Sequence, residues 1–501
     1  MNALQTFRER NNTKNFTCTR KILRYREFSF SITRSLPLSF CVFQLDSSFY
    51  RPYNIRYYEK FFAIANYALQ KCLAKHCSKH RVETIMTPTG SAEVYWNHTG
   101  GKATGPLAGV RVLDLTTVVM GPSATQILGD LGADVLKVES PAGDSMRWIG
   151  PWRHPGMGPL YLQANRNKRG IVLDLKSVPG KARAVALAEH ADVLVSNVRP
   201  QGLQRLGLDY ESLRMLNPRL IYCAAVGYGA GGPDSGKAVY DDLMQAASGI
   251  AGLFRQVDGA PRYAPVNICD RIVGLYVANA VTSALYHREK TQEGQVIEVP
   301  MFETMTQFVL SDHMGGAAFV PAEGPMGYRR LLSRTRGPYA TRDGHLSLVV
   351  YTDRHWRAFT ALVGQPTLLD TDARFVSQES RTSHAEDVGR FLAQQLPARS
   401  NREWLEILHG IDIPACPVNS IEDLFDDPHL RAVGFFEDVE HPTEGLLRTC
   451  RFPVRFSASP PSVQCLAPNL GEHNAEIFGE RHDPVREDAL PNPTHGKYRD
   501  V

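Results

Sequence analysis

The feature that most constrains the fold is an alternation that begins at Leu107. "GVRVLDL" (109–115) reads as a buried strand, "GPSATQILGDLG" (121–132) as a helix opened by Gly-Pro-Ser, and "ADVLKVE" (133–139) as a second strand. Short apolar runs without polar alternation suit strands covered on both faces, as in a parallel sheet with crossover helices. The pattern recurs in "GIVLDLK" (170–176), a helix around "KARAVALAEHA" (181–191), "DVLVSN" (192–197) and "LIYCAAVGYG" (220–229). A helix over about 271–288 and the strand "GQVIEVPMFE" (294–303) close this part. The expectation is an α/β fold with a Rossmann-like, mostly parallel sheet over residues 105–304. Residues 305–425 change texture: a linker, then short strands ("GHLSLVV", 344–350) among helices ("DRHWRAFTALVG", 353–364; "DVGRFLAQQL", 387–396), which predicts a smaller α+β domain. Residues 426–480 are expected to return to the large domain and 481–501 to form a tail.

Residues 1–104 read as an N-terminal extension. None of the 40 glycines precedes Gly90, and residues 1–85 hold 15 Lys and Arg against 5 Asp and Glu, so the rest of a +4 chain is mildly acidic. A folded α/β layer needs glycine in its turns. The favoured reading of residues 1–85 is upstream sequence before a start at Met86, with a targeting segment or a disordered basic arm as alternatives. Cys72, His76, Cys77 and His80 do not have the spacing of a standard zinc module, and no metal is expected. The nine cysteines are scattered without a CxxC pair, which suits reduced thiols in the cytoplasm. No uninterrupted apolar run of about 18 residues predicts a membrane span. Neither membrane nor nucleic acid is an expected partner.

The first βαβ unit invites a dinucleotide, with Glu139 near the position of a ribose-binding acid. Its turn, "LTTVVMGPSAT", has one glycine before the helix where a pyrophosphate cradle needs G-x-G-x-x-G. NAD and FAD are therefore not expected.

Several ordered stretches carry a different message: "LAGVRVLDLTTVVMGPSATQILGDLGADVLKVESPAGD" (107–144), "NRNKRGIVLDLK" (165–176), "DVLVSNVRPQGLQRLGLDYESLRMLNPRLIY" (192–222), "GYGAGGP" (227–233), "YDDLMQAASG" (240–249), "PVNICDRIVGLY" (265–276), "IPACPVNSIEDLFDDPHLRAVGFF" (413–436) and "PNLGEH" (468–473). With them the chain resembles the class III CoA-transferase (CaiB/BaiF) family, which includes formyl-CoA transferases, carnitine CoA-transferases and α-methylacyl-CoA racemases. The resemblance implies a CoA-transferase that moves CoA from an acyl-CoA donor to a small carboxylic acid, with no permanently bound cofactor and an interlocked homodimer.

That resemblance places the nucleophile on Asp270. Flanked by Ile268, Cys269, Ile272 and Val273, its carboxylate is expected to be partly desolvated and so suited to forming an anhydride and then an aspartyl-CoA thioester. Read without the family, Asp270 would be the cap of the helix starting near 271. CoA contacts are implied at the main chain of Val119 and Met120, at Leu173, Asp174, Leu175 and Lys176, at Asn197, Val198 and Arg199, and at Arg205. Lys176 and Arg205 would neutralise phosphate; Arg147, Arg166, Lys168 and Arg169 are further cationic candidates.

The chain departs from the family at Val119, where some relatives carry Gln or Arg, and at Ser140, a basic residue in formyl-CoA transferases. The glycine run of oxalate-using members is replaced by "RRLLSRTRGPYATRDGH" (329–345), which argues against oxalate; its Arg329, Arg330, Arg334 and Arg336 would suit a carboxylate acceptor or a solvated surface. Two alternatives remain. A racemase needs a histidine where Tyr240 stands, and tyrosine is a poor base at neutral pH. A non-catalytic CoA-binding protein would not need Asp270.

Overall fold

The computed structural model describes residues 103–479 continuously, together with Trp96 and the backbones of Lys21–Tyr25 and Phe28–Ile32. The chain divides into two compact units, residues 1–89 and 90–501. In the first, β1 (Lys21–Tyr25) and β2 (Phe28–Ile32) pair as an antiparallel hairpin, which the glycine-free sequence did not suggest. Met86, the Cys72–His80 cluster and the 481–501 tail lie outside the described residues.

The second unit is built on six parallel strands, β3 (Arg111–Leu115), β4 (Asp134–Glu139), β5 (Lys168–Val172), β6 (Val193–Ser196), β7 (Ile221–Val226) and β8 (Gln295–Pro300). Their spatial order is β5-β4-β3-β6-β7-β8. The chain leaves β3 outward to β5, then returns to β6 on the other side of β3. Such an order creates a topological switch between β3 and β6, and the carboxyl ends of those two strands open there.

Period-two alternation assigns the two faces. Val112, Val135, Val193, Ile221 and Cys223 pack under α1 (Met120–Asp130) and a long helix at Ile268–Thr291. Leu113, Leu136, Ile171, Leu194 and Tyr222 pack against Ala184 and Leu187 of the helix Val178–Glu189. The long helix is apolar and long enough to cross a membrane by length and composition. Its Val273, Val277 and Val281, four residues apart, form one stripe within the sheet's core.

The smaller α+β layer holds three antiparallel strands, β9 (Tyr339–Ala340), β10 (His345–Leu348) and β11 (Ala415–Pro417). Helices at Asp353–Leu362, Ala385–Gln395 and Asn401–Gly410 bury Trp356, Phe359, Leu392 and Trp404 against them. After the hairpin β12 (Phe436–His441) and β13 (Gly445–Cys450), the chain lies along the open edge of β5. Asn167 N–H donates to Cys465 O, Gly170 N–H to His473 Nδ1 and Val172 N–H to Asn474 Oδ1, so that edge is covered.

Candidate active site

At the switch point, the turn after β3 forces Val118 to φ +72°, a left-handed conformation that a β-branched residue adopts only under constraint. Four side chains supply the constraint. Asp114 Oδ1 accepts from Thr116 N–H at 2.9 Å, Lys137 Nζ donates to Thr116 O at 2.9 Å, and Asp144 Oδ1 accepts from Val118 N–H at 3.2 Å. Asn197, from the carboxyl end of β6, accepts from Thr117 N–H at 3.0 Å and donates to Thr117 O at 2.8 Å. The amides of Thr116, Thr117 and Val118 and the carbonyls of Thr116 and Thr117 are thereby held. Gly121 lets the turn close on α1, since a Cβ there would lie 2.3 Å from Thr116 Cβ.

The side chains that hold the turn are themselves a buried ion network. Lys168 pairs with Asp114 at 3.1 Å and Lys137 with Asp144 at 3.0 Å, all four fully buried. Burial opposes ionisation of Asp114, but Lys168 and Lys137 outweigh it and hold the carboxyl down to about 2. Lys168 shares that carboxylate with Lys137, and burial pulls its ammonium down to about 8. For Lys137, burial is overcome by Asp114, Asp144 and Glu139, and its pKa rises.

The further cationic candidates Arg147, Arg166, Lys168 and Arg169 belong to this interior. Arg147 pairs with Glu139 at 2.6 Å, Arg166 with Asp130 at 2.7 Å, and Arg169 with Asp134 at 2.7 Å and Glu476 at 2.6 Å. Each guanidinium is buried and already matched to a carboxylate, so none is free for a ligand. Glu139, the candidate ribose acid, is likewise spent on Arg147. The sequence could have flagged this, because Lys137 and Asp114 are charges inside otherwise apolar strands.

Asp270 lies on the neighbouring helix. That helix begins at Ile268, three residues before the sequence suggested, with Asn267 as its cap, so Asp270 sits in the first turn rather than at the cap. Its amide donates to Asp241 Oδ2 at 2.9 Å, and Asp241 Oδ1 accepts from Gln245 Nε2 at 2.6 Å. Asp241, in "YDDLM", was missed by sequence reasoning because only its geometry ties it to the site. The Asp270 carboxylate forms no ion pair among the described residues although the residue is only 9% exposed. Burial, reinforced by the charge of Asp241 and only partly offset by Arg271, pushes it up to about 7.

Two contacts fix this helix against the strained turn. Arg271 Nη1 donates to Ser123 Oγ at 2.8 Å, and Gly274 allows an approach in which a Cβ would lie 3.0 Å from Met120 O. Asp270 precedes Gly274 by about one helical turn, ~5.4 Å of axis. The buried Met120 thus meets this helix one turn from Asp270.

The remaining nominated residues lie along the same carboxyl edge of the sheet but farther out. Leu173 is buried and Leu175 half-buried; Asp174 is exposed and its Oδ1 accepts from Lys176 N–H at 2.9 Å. They follow β5, two strands from β3, or roughly 10 Å across the sheet. Asn197 spends its amide on Thr117, while Val198, Arg199 and Arg205 are exposed; Arg205 Nε reaches only Gln201 O of its own helix. Lys176, Arg199 and Arg205 have no ion pair among the described residues, in contrast to the four buried cations.

Residues 107–474 match CoA-transferase family III. A succinate–glutarate CoA-transferase of Agrobacterium fabrum is 34% identical over 75% of this chain and 95% of its own length. The human succinyl-CoA:glutarate CoA-transferase is 31% identical over 75% of this chain and 86% of its own. Among solved structures, a CaiB/BaiF family protein from Brucella suis superposes with a TM-score of 0.64 at 31% identity, over 75% of this chain and 99% of that one.

Proposed function

We propose that this chain, which belongs to CoA-transferase family III and is a CoA-transferase, exchanges CoA between an acyl-CoA and a free dicarboxylic acid through covalent intermediates on Asp270. The observation that carries the reading is a buried carboxylate without an ion-pair partner among the described residues, on a helix packed against the helix that follows a strained turn. An Asp270 oxygen attacks the thioester carbonyl carbon, the C–S bond breaks, and CoA thiolate leaves a mixed anhydride. The thiolate then attacks the aspartyl carbonyl carbon, releasing the donor acid and leaving an aspartyl-CoA thioester. The incoming carboxylate attacks that thioester to form a second anhydride and free thiolate. Attack of the thiolate on the new acyl carbon forms the product thioester and restores Asp270. A dry site protects both anhydrides from water.

The main chain of Val119 and Met120 would hold the thioester end of CoA. Leu173 to Lys176, Asn197 to Arg199, and Arg205 would hold its nucleotide, with Lys176, Arg199 and Arg205 available to phosphate. A dicarboxylic acceptor is suggested by the named substrates of the relatives. A homodimer is supported by apolar surface on the central helix, where Leu275, Tyr276 and Tyr286 are exposed. A cytoplasmic setting fits the five unpaired cysteines among the described residues. Tyr240, exposed at the start of the helix carrying Asp241, offers no base for racemisation.

The test is transfer from succinyl-CoA to glutarate with hydroxylamine present. Wild type should acquire a hydroxamate at Asp270 in an acyl-CoA-dependent manner. Asp270→Asn should lose transfer by on the order of 10⁴-fold and show no label. Full transfer by that variant would refute the mechanism.

A further inference from the structure

The small layer contains a cavity of about 260 Å³ between β10, the segment 328–339 and the helices at Gln378–Ser383 and Ala385–Gln395. Its apolar wall includes Leu348, Trp356 and Leu392. Three arginines line it and no aspartate or glutamate does. Arg381 is already used: it pairs with Asp353 and donates to Phe375 O at 2.7 Å. Arg330 and Arg336 differ, since neither guanidinium has a hydrogen-bond or ion-pair partner among the described residues.

Tyr339, buried at the start of β9, adds a third donor, and its hydroxyl also lacks a hydrogen bond among the described residues. Burial pushes its phenol up against the pull of Arg330 and Arg336, so both cations act on the space around that hydroxyl. Arg330 is half-buried and Arg336 exposed, and the two like charges repel one another at the wall that Tyr339 shares. An anion that accepts from all three would offset that repulsion and use three donors that no other side chain holds among the described residues.

We infer that Arg330, Arg336 and Tyr339 form a binding site for the carboxylate of a small organic acid, whose carbon chain packs on the apolar wall. At about 260 Å³ the cavity lies near the ~300 Å³ lower end of ordinary ligand pockets, which suits a short acid. The inference does not rest on the role given to Asp270.

Calorimetric titration of the full chain with glutarate tests it, with glutaramide and inorganic phosphate as controls. The expected result is saturable binding of glutarate, none of the diamide and weaker binding of phosphate. Arg330→Gln/Arg336→Gln should weaken glutarate binding at least tenfold, Tyr339→Phe a few-fold, and Arg330→Lys/Arg336→Lys should restore part of it, which separates charge from folding. Equal affinity in wild type and the double Gln variant, or tighter binding of phosphate than of glutarate, overturns the site. Initial rates identify the source of the acid. If the site holds the acceptor, KM for glutarate rises at least tenfold in the double Gln variant; if it holds a second acid, binding is lost while that KM stays. Asp270→Asn should retain glutarate binding, so failure of the nucleophile and failure of this site are told apart.

Discussion

Under the turn after β3, Asp114, Lys168, Lys137 and Asp144 are fully buried, and each charge meets an opposite one within 3.1 Å. Asp270, on the adjoining helix, is buried almost as deeply and has no ion pair among the described residues; Asp241, another carboxylate, approaches it instead. The contrast separates two uses of buried charge. Paired charges cost desolvation but return a fixed geometry, here the left-handed Val118. An unpaired carboxylate keeps its lone pairs for a substrate, and its cost falls on the stability of the fold.

The sharpest way to break this comparison is to remove one partner from the paired side. Lys137→Met leaves Asp144 Oδ2 and Thr116 O buried without the ammonium that donates to both. The expected loss is about 3–5 kcal/mol in urea denaturation, because the orphaned charge remains after its partner is gone. The same variant should raise KM for the acyl-CoA, since the turn beside Asp270 loses one of its four restraints. A loss below about 1 kcal/mol would mean that the network is not what holds the turn.

The unpaired side makes the opposite prediction. The folded Asp270 pKa of about 7 lies above its ordinary 3.8, so between those values the native state binds more protons than the unfolded chain. Stability contributed by this group therefore falls as pH rises through that window and levels off above about 7. Asp270→Asn removes the penalty. It should be more stable than wild type at pH 8, by at most about 4 kcal/mol from ~1.4 kcal/mol per pKa unit, and indistinguishable near pH 4. Urea titrations at both pH values check this; an equal difference at both would show that ionisation of Asp270 carries no cost.

These two kinds of charge were not equally legible in the sequence. The sheet was, because apolar runs of four to seven residues and a helix between them leave few alternatives: β3, β4, β6, β7 and β8 fall within the segments read as strands, and β5 begins two residues ahead of its segment. Asp270 was nominated through its motif. The network was not, because Arg147, Arg166, Lys168 and Arg169 look like exposed cations until Glu139, Asp130, Asp114 and Asp134 are seen opposite them, up to 54 residues away in the chain. Local patterns report which face a residue occupies; they do not report which carboxylate the fold brings to it. Asp241 escaped for the same reason, since its link to Asp270 spans 29 residues.

Asp241 is where the smallest effect, and the finest test of the comparison, lies. It hydrogen-bonds the Asp270 amide and also places a negative charge near the nucleophile. Asp241→Asn keeps an oxygen acceptor for that amide but removes the charge, so position and electrostatics separate. For wild type, kcat/KM should rise with pH through an apparent pKa of about 7 and then plateau, because the ionised carboxylate is the nucleophile. In Asp241→Asn the midpoint should move down while the plateau is kept, since burial, the larger cause of the raised pKa, is unchanged. An unmoved midpoint with a lowered plateau would make Asp241 a positioning residue alone and assign the high pKa of Asp270 wholly to its desolvation.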